Sequence, residues 1–340
     1  MQFHGLGWLG ATNHDSDAAA VSGDGSVVVG VSQDDAGNAV AFRWTQADGM
    51  QPLGLLPGGH HSQAYAVSAN GNVIAGYANN NVAFRWTSSS GLQSLGTPLG
   101  GSGSFAQDMN SLGNVIVGYG TISASGLNEA QKWTITGGWQ GLGHLPGGAY
   151  QSIAWKINGA GTVIAGESGS AAGLRAVRWV NGQIQDLGPG RATGVDALGD
   201  TIVGTDFATG HAFRWTPTTG MTDLIEPPGN FSTPSDVSAD GNIVVGYTTG
   251  ATTSPDGFVW DAQHGMRSLE SMLIADGVDV AGWQIRYIEG ISFDGSTVVG
   301  QGINPAGDQE AFVATLPEPG TSALVLLGAA ACFPARRRRR

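Results

Sequence analysis

One pattern recurs seven times along this chain and constrains its fold more than any other feature. Aligned on the last glycine of "VVG", copies read "AAAVSGDGSVVVGVS" from Ala18, "AYAVSANGNVIAGYA" from Ala64 and "PSDVSADGNIVVGYT" from Pro234. The seven aligned glycines are Gly30, Gly76, Gly118, Gly166, Gly204, Gly246 and Gly300. Each copy continues through a loop into a segment of the "AFRWT" type, then into one ending in Leu-Gly, as in "GMQPLGLLPGG". Each unit thus holds four short strand-like runs, separated by Gly, Asn and Asp. The Asp-Gly or Asn-Gly between the first two runs reads as a two-residue hairpin turn with positive φ at both central residues. Four strands per ~40–45 residues is the period of propeller blades. Two-residue alternation and glycine density exclude a helical solenoid.

The two ends of the repeat array are complementary. "FHGLGWL" at 3–9 matches "WQGLGHL" at 139–145, a fourth-strand segment, whereas the seventh copy stops at "AFVAT" and lacks one. The N-terminal strand therefore completes the last blade and removes open sheet edges. The expectation is an all-β, seven-bladed β-propeller over 1–315, followed by a tail at 316–340 containing a short apolar helix. One large aromatic per copy, at Trp44, Trp86, Trp133, Trp179, Trp215 and Trp260, is expected to fill the widening gap between blades. The residues before them, Arg43, Arg85, Lys132, Arg178 and Arg214, are expected over a neighbouring aromatic face or beside an Asp of the next blade.

Charge excludes some partners. Net charge is −12, and five of the 15 basic residues occupy positions 336–340, so the body is strongly acidic and carries no basic stripe for nucleic acid. The single cysteine, Cys332, lies in the tail, which leaves the body without disulfides, Cys-based metal sites or thiol nucleophiles. No phosphate-binding loop, nucleophile elbow or calcium-loop spacing occurs. "SFDGST" at 292–297 falls short of a sialidase Asp-box: it lacks a residue between Asp and Gly, and the closing Trp. His60 and His61 have no carboxylate or Cys at ligand spacing and read as loop surface. No metal, cofactor or catalytic residue is expected. The departure from the repeat at 268–287 opens with Ser268 and Glu270, the start of a short helix. It reads equally as part of a binding site or as a cover for an edge.

Two resemblances follow from these motifs. "GHAFRWTPTTGMTDL" at 210–224 and "LGLLPGGHHSQAYAVSANGNVIAGY" at 53–77 resemble the HAF family of extracellular bacterial repeats. The likeness covers nearly all of 1–315 and is intact at His211-Ala212-Phe213. It implies an exported or surface protein and no particular reaction. The tail resembles the PEP-CTERM sorting signal, with Pro317, Glu318 and Pro319 as the motif. An apolar run from Thr321 through Leu324, Val325, Leu326 and Leu327 to Ala335 follows, then Arg336, Arg337, Arg338, Arg339 and Arg340. The run is shorter than a permanent ~20-residue span, and the arginines suit a cytoplasmic stop. The resemblance implies transient inner-membrane insertion, cleavage by an exosortase-type enzyme, and a final place outside the cell or on its surface. "MQFHGLGWLG" has no features of a signal peptide, so an upstream leader is expected to be missing from this chain. The expected function is a structural or interaction role with exopolysaccharide or other matrix components. The alternative is a carbohydrate or small-ligand binding module on one propeller face, and a degenerate glycoside hydrolase ranks last.

Overall fold

The structure is a computed structural model. It describes residues 1–79, 81–122, 126–148, 151–224, 230–250 and 254–317. Seven four-stranded antiparallel sheets, each with its strands in sequence order apart from the last, form a seven-bladed β-propeller. Blades 1 to 6 run Ser16–Pro52, Ser62–Ser94, Gly103–Gly141, Ser152–Pro189, Arg191–Asp223 and Asn230–Ser268. Blade 7 comprises Gln284–Ile291, Thr297–Ile303 and Gln309–Thr315, with Gln2–Gly5 as its fourth strand. That N-terminal strand pairs antiparallel with the third, Gln2 opposite Thr315 and Gly5 opposite Phe312, as the terminal motif predicts. The first strand of every blade contacts the first strands of both neighbours, blade 7 against blade 1 included. These seven strands surround the axis.

The hydrophobic core lies between sheets. Val27, Val29 and Ala41 of blade 1, for example, pack against Ala64, Ile74 and Phe84 of blade 2. The phenylalanines of the "AFRWT" segments, Phe42, Phe84 and Phe213, are fully buried, as are Phe258 and Phe312 at the matching position. Each contributes roughly 1.5–3 kcal/mol of burial. All six tryptophans of the repeat join these inter-blade clusters, from Trp179 at 1% exposure to partly buried Trp86 and Trp133. The cationic neighbours divide. Arg178 lies over Trp215, 4.4 Å from the ring centre. Arg85, Arg178 and Arg214 also reach across to the turn of the next blade, donating to the carbonyls of Gly113, Gly199 and Gly241.

Three devices define the channel. The first is a β-bulge in every inner strand, at Ala19, Tyr65, Gln107, Trp155, Thr193, Ser235 and Glu289. Opposite each lies an aligned glycine of the repeat. A Cβ on Gly118 would stand 1.8 Å from the Phe105 carbonyl oxygen, and the other six would meet the equivalent carbonyl at 1.9–2.1 Å. The repeat keeps glycine there because the bulge drives backbone into that space.

The second device is a serine at the start of an inner strand that stitches two blades together. Ser104 Oγ donates to the Gly96 carbonyl and accepts from Ala83 N–H of blade 2. Ser16 does the same between blades 7 and 1, with Gly7 and Ala311 as partners.

The third is the hairpin between first and second strands, which differs from the two-residue turn the sequence predicts. In blade 1, Ser22 N–H donates to the Val27 carbonyl and Gly25 N–H to that of Ser22, enclosing a four-residue loop. Only Gly25 takes positive φ there, at 75°. Asp24 instead accepts from the Ser22 hydroxyl and Ser26 N–H, and holds the loop by hydrogen bonds that a two-residue turn has no room for. These loops join head to tail around the axis: Gly23 N–H donates to Ala69 O, Ala69 to Ser111, Ser111 to Gly159, Ala197 to Ala239, Ala239 to Phe293 and Phe293 back to Gly23. Asn158 Nδ2, donating to Ala197 O, bridges the remaining junction.

The insertion after blade 6 forms the helix Leu269–Ala275, capped by the Ser268 side chain. Leu269 and Leu273 are fully buried against Val245, Ile285 and Phe312. The insertion covers the junction of blades 6 and 7, and its i, i+4 leucines are the reason.

Leu316 is buried at the end of blade 7 and Pro317 is exposed. Glu318, Pro319, the apolar run from Thr321 to Ala335 with its expected helix, and Arg336 to Arg340 lie outside the described residues. No helix among the described residues is long and apolar enough to cross a membrane.

The bulge–glycine contact predicts a steep cost for one methyl group. Gly118→Ala should lower stability by about 3 kcal/mol or more, read as a fall in the urea midpoint of the isolated ring. A loss below about 1 kcal/mol would show that the bulge relaxes freely.

Candidate functional site

The bulges set what faces the axis. All seven bulged residues line one cavity of about 340 Å³ at the wide end of the channel, the end away from the ring of turns. A smaller space of about 70 Å³ lies below it, walled by one apolar residue per blade, from Val21 through Met109 and Ile157 to Ile291. Lys156 borders both spaces. The channel thus passes from a broad chamber of mixed aromatic and polar lining through a charged layer to a constriction walled by apolar side chains.

The chamber is lopsided, although its frame is regular. Across blades 2 to 4 runs an aromatic arc. Tyr65 stacks on Tyr77 with centroids 5.8 Å apart, Tyr77 meets Phe105 edge-on at 5.1 Å, and Phe105 stacks on Tyr119 at 4.5 Å. Tyr119 then meets Trp155 at 6.3 Å, and the Arg191 guanidinium lies 5.0 Å from the Trp155 ring centre. Arg191 is held there by Glu167, which is 2% exposed and accepts from Nε at 2.5 Å. His61 packs behind the arc on Tyr77, at 5.2 Å, so it is more than the loop surface its sequence context predicts; burial lowers its pKa. Blades 7 and 1 present Glu289 and Asp17 instead, with Gln301 beside them.

Burial governs the charges here. Desolvation pushes Glu289 up to about 7, helped by the nearby Asp17 charge and opposed by Lys156. Asp17 rises to about 6 through desolvation and the Asp15 charge, despite a 2.8 Å hydrogen bond from Gln309. Asp108, deep in the charged layer, rises to about 6 by desolvation, against the pull of Lys156 and the Ile157 N–H. Burial disfavours the Lys156 charge, but Asp236 at 3.2 Å, together with Asp108, outweighs it and keeps the ammonium. Such a chamber offers ring faces for stacking and carboxylates for hydroxyl or ammonium groups. Among the described residues, no group of three or more His, Cys, Asp or Glu is placed to hold a metal ion.

None of these lining residues stands out in the sequence as a site. The bulged residues occupy the first of two variable columns between the Ala and the Val-Ser of the repeat, as in "A-Y-A-V-S" and "A-W-K-I-N", and Asp108, Lys156 and Asp236 the second; Asp17 and Arg191 stand just before the Ala. The usable signal is that a fixed frame surrounds one column free to hold Ala, Tyr, Gln, Trp, Thr, Ser or Glu and a second free to hold Ala, Gly, Asp or Lys. The insertion at 268–287 touches the chamber with none of its helix.

No protein-family model matches the chain, and no curated protein resembles it in sequence. Its fold is similar to that of solved β-propellers. An oligogalacturonate lyase in complex with manganese superposes with TM-score 0.59 at 11% identity, over 94% of this chain and 97% of that one. The oligogalacturonate lyase of Vibrio parahaemolyticus gives 0.57 at 10%, over 93% and 97%. TolB of Agrobacterium tumefaciens gives 0.50 at 14%, over 79% and 94%. At these identities the likeness shows the fold alone.

The raised carboxylates make a signed prediction. Asp17, Asp108 and Glu289 bind protons more tightly in the folded chain than their ordinary values of 3.8, 3.8 and 4.5 allow. Between those values and about 7 the folded state holds the extra protons, so stability falls as pH rises through that window. Thermal melts should show Tm dropping from pH 5 to pH 8, and Glu289→Gln should flatten the upper part of the curve. An unchanged slope in that variant would remove Glu289 from the account.

Proposed function

We propose that this chain is an exported propeller that binds a short stretch of oligosaccharide in the wide chamber of its channel. Trp155 set across the axis from Asp17 and Glu289, with Tyr65 beside Asp17 and all four lining one open cavity, carries this reading. A scaffold that works through broad surfaces needs no such chamber. A glycoside hydrolase needs two carboxylates in contrasting environments, one held protonated and one ionised. Here burial pushes Asp17 and Glu289 in the same direction. Binding therefore has more support than hydrolysis, and exopolysaccharide in a matrix outside the cell is the natural source of the ligand. The sorting tail completes the proposal: Pro317, Glu318 and Pro319 direct an exosortase-type enzyme, and the apolar and arginine segments after them form a removable address.

A glycan array with the isolated ring, followed by titration of the retained glycan, tests the binding reading. Trp155→Ala and Tyr65→Ala should each weaken binding about tenfold or more, equivalent to ~1.4 kcal/mol. Trp8→Ala should leave it unchanged, because Trp8 stacks on His14 outside the chamber. An array that retains nothing, or equal affinity in Trp155→Ala, defeats the proposal.

The address is tested separately, in cells producing the chain behind a leader. Pro317→Ala, Glu318→Ala and Pro319→Ala together should leave the body in the membrane fraction. Equal release of both forms would refute the sorting role.

A further inference from the structure

The chamber's charge balance narrows its ligand, provided that the chamber is a sugar site as proposed above. Two of its cations are already used. Lys156 pairs with Asp236 at 3.2 Å, and Arg191 pairs with the buried Glu167. Asp17 and Glu289, on adjoining blades 1 and 7, form no salt bridge among the described residues; Lys156, whose charge acts on Glu289, is paired with Asp236. Among the described residues, the Asp17 side chain accepts from the neutral amide of Gln309 alone and Glu289 accepts no hydrogen bond. Their strands adjoin, and the Asp17 charge disfavours that of Glu289. Both border the cavity, and the ring order places them across the axis from Trp155.

A neutral ligand would leave this repulsion in place, and an anionic one would add to it. An ammonium group relieves it and gains charge-assisted hydrogen bonds. The Tyr65 ring beside Asp17 also favours a cation, through its negative π-face. The acidic body draws cations toward the mouth from a distance.

We infer that the oligosaccharide bound here carries free amines: an amino-sugar oligomer whose ammonium groups meet Glu289 and Asp17 while its ring faces rest on Tyr65 and Trp155.

Calorimetric titration of the isolated ring at neutral pH tests this with three probes of matched length. They are β-linked oligomers of glucosamine, of N-acetylglucosamine and of galacturonate. The glucosamine oligomer should bind at least about tenfold more tightly than its acetylated form, and the galacturonate oligomer most weakly. Glu289→Gln and Asp17→Asn should each erase most of the preference for free amines, weakening the glucosamine oligomer about tenfold and the acetylated oligomer by clearly less. A near-isosteric amide keeps the fold, and a thermal melt of each variant confirms it. Equal or tighter binding of the acetylated or uronate oligomer would overturn the amine preference and leave the sugar site standing. A loss spread equally over all three probes in Glu289→Gln would also overturn it. Binding of none of them would defeat the amine preference and the sugar site together.

Discussion

The fold turns on the contact between a bulged carbonyl and a glycine. In each inner strand the carbonyl two residues ahead of the bulge sits where a Cβ of the second strand would be. The contact is possible only with glycine, and it fixes the register of the first hairpin in all seven blades. The extra residue of the bulge then has no partner on the second strand and turns toward the axis. The aligned glycines that betray the repeat, and the side chains that line the channel, are thus two sides of one backbone feature. If the bulge were lost, the inner strand would regain plain alternation and the chamber would lose its present lining.

The layers along the channel follow from this arrangement. At the wide end the bulged residues can be large or charged, because open solvent is near. One step further in, Lys156, Asp108 and Asp236 are compressed into a narrow space, where only mutual pairing makes their burial tolerable. Further still, the wall is apolar, and beyond it the linked turns tie the loops into a ring. A charge pair in the middle of a water-poor channel costs stability unless each partner is satisfied. Its presence in blades 3, 4 and 6 alone shows that the frame bears the cost in a few blades and relies on Ala or Gly in the others.

Much of this was legible in the sequence. The period, the strand count, the N-terminal strand in blade 7, the tryptophans in the core and the helix after Ser268 all follow from repetition and patterning. The turns were misread because Asp-Gly has two uses: a two-residue turn, or, as around Asp24, a longer loop pinned by the side chain itself. The serine stitches were missed because Ser16, Ser62 and Ser104 look like ordinary strand starts until two blades are placed side by side. The chamber was hidden for a deeper reason. Tyr65, Trp155 and Glu289 are far apart in the chain and share no motif; what unites them is a structural column, visible only when the copies are stacked and the bulge is known.

The ring also separates its two proposed tasks in space. Leu316 N–H donates to the Ser296 carbonyl, inside the turn of blade 7, so the chain leaves the propeller at the end where the linked turns lie. The chamber opens at the other end. A ring tethered through residues after 316, by a membrane segment before cleavage or by any attachment after it, presents the chamber away from the surface that holds it. A ligand in the surrounding matrix then reaches Trp155 and Glu289 without passing the tether. Swapping the exit to the chamber's end would bring the tail across the mouth. Binding at one end and attachment at the other are therefore compatible in this topology, and the parity of strands in the last blade is what makes them so. With the fourth strand supplied from the N-terminus, the ring closes on a third strand as its last, and a third strand runs toward the turns.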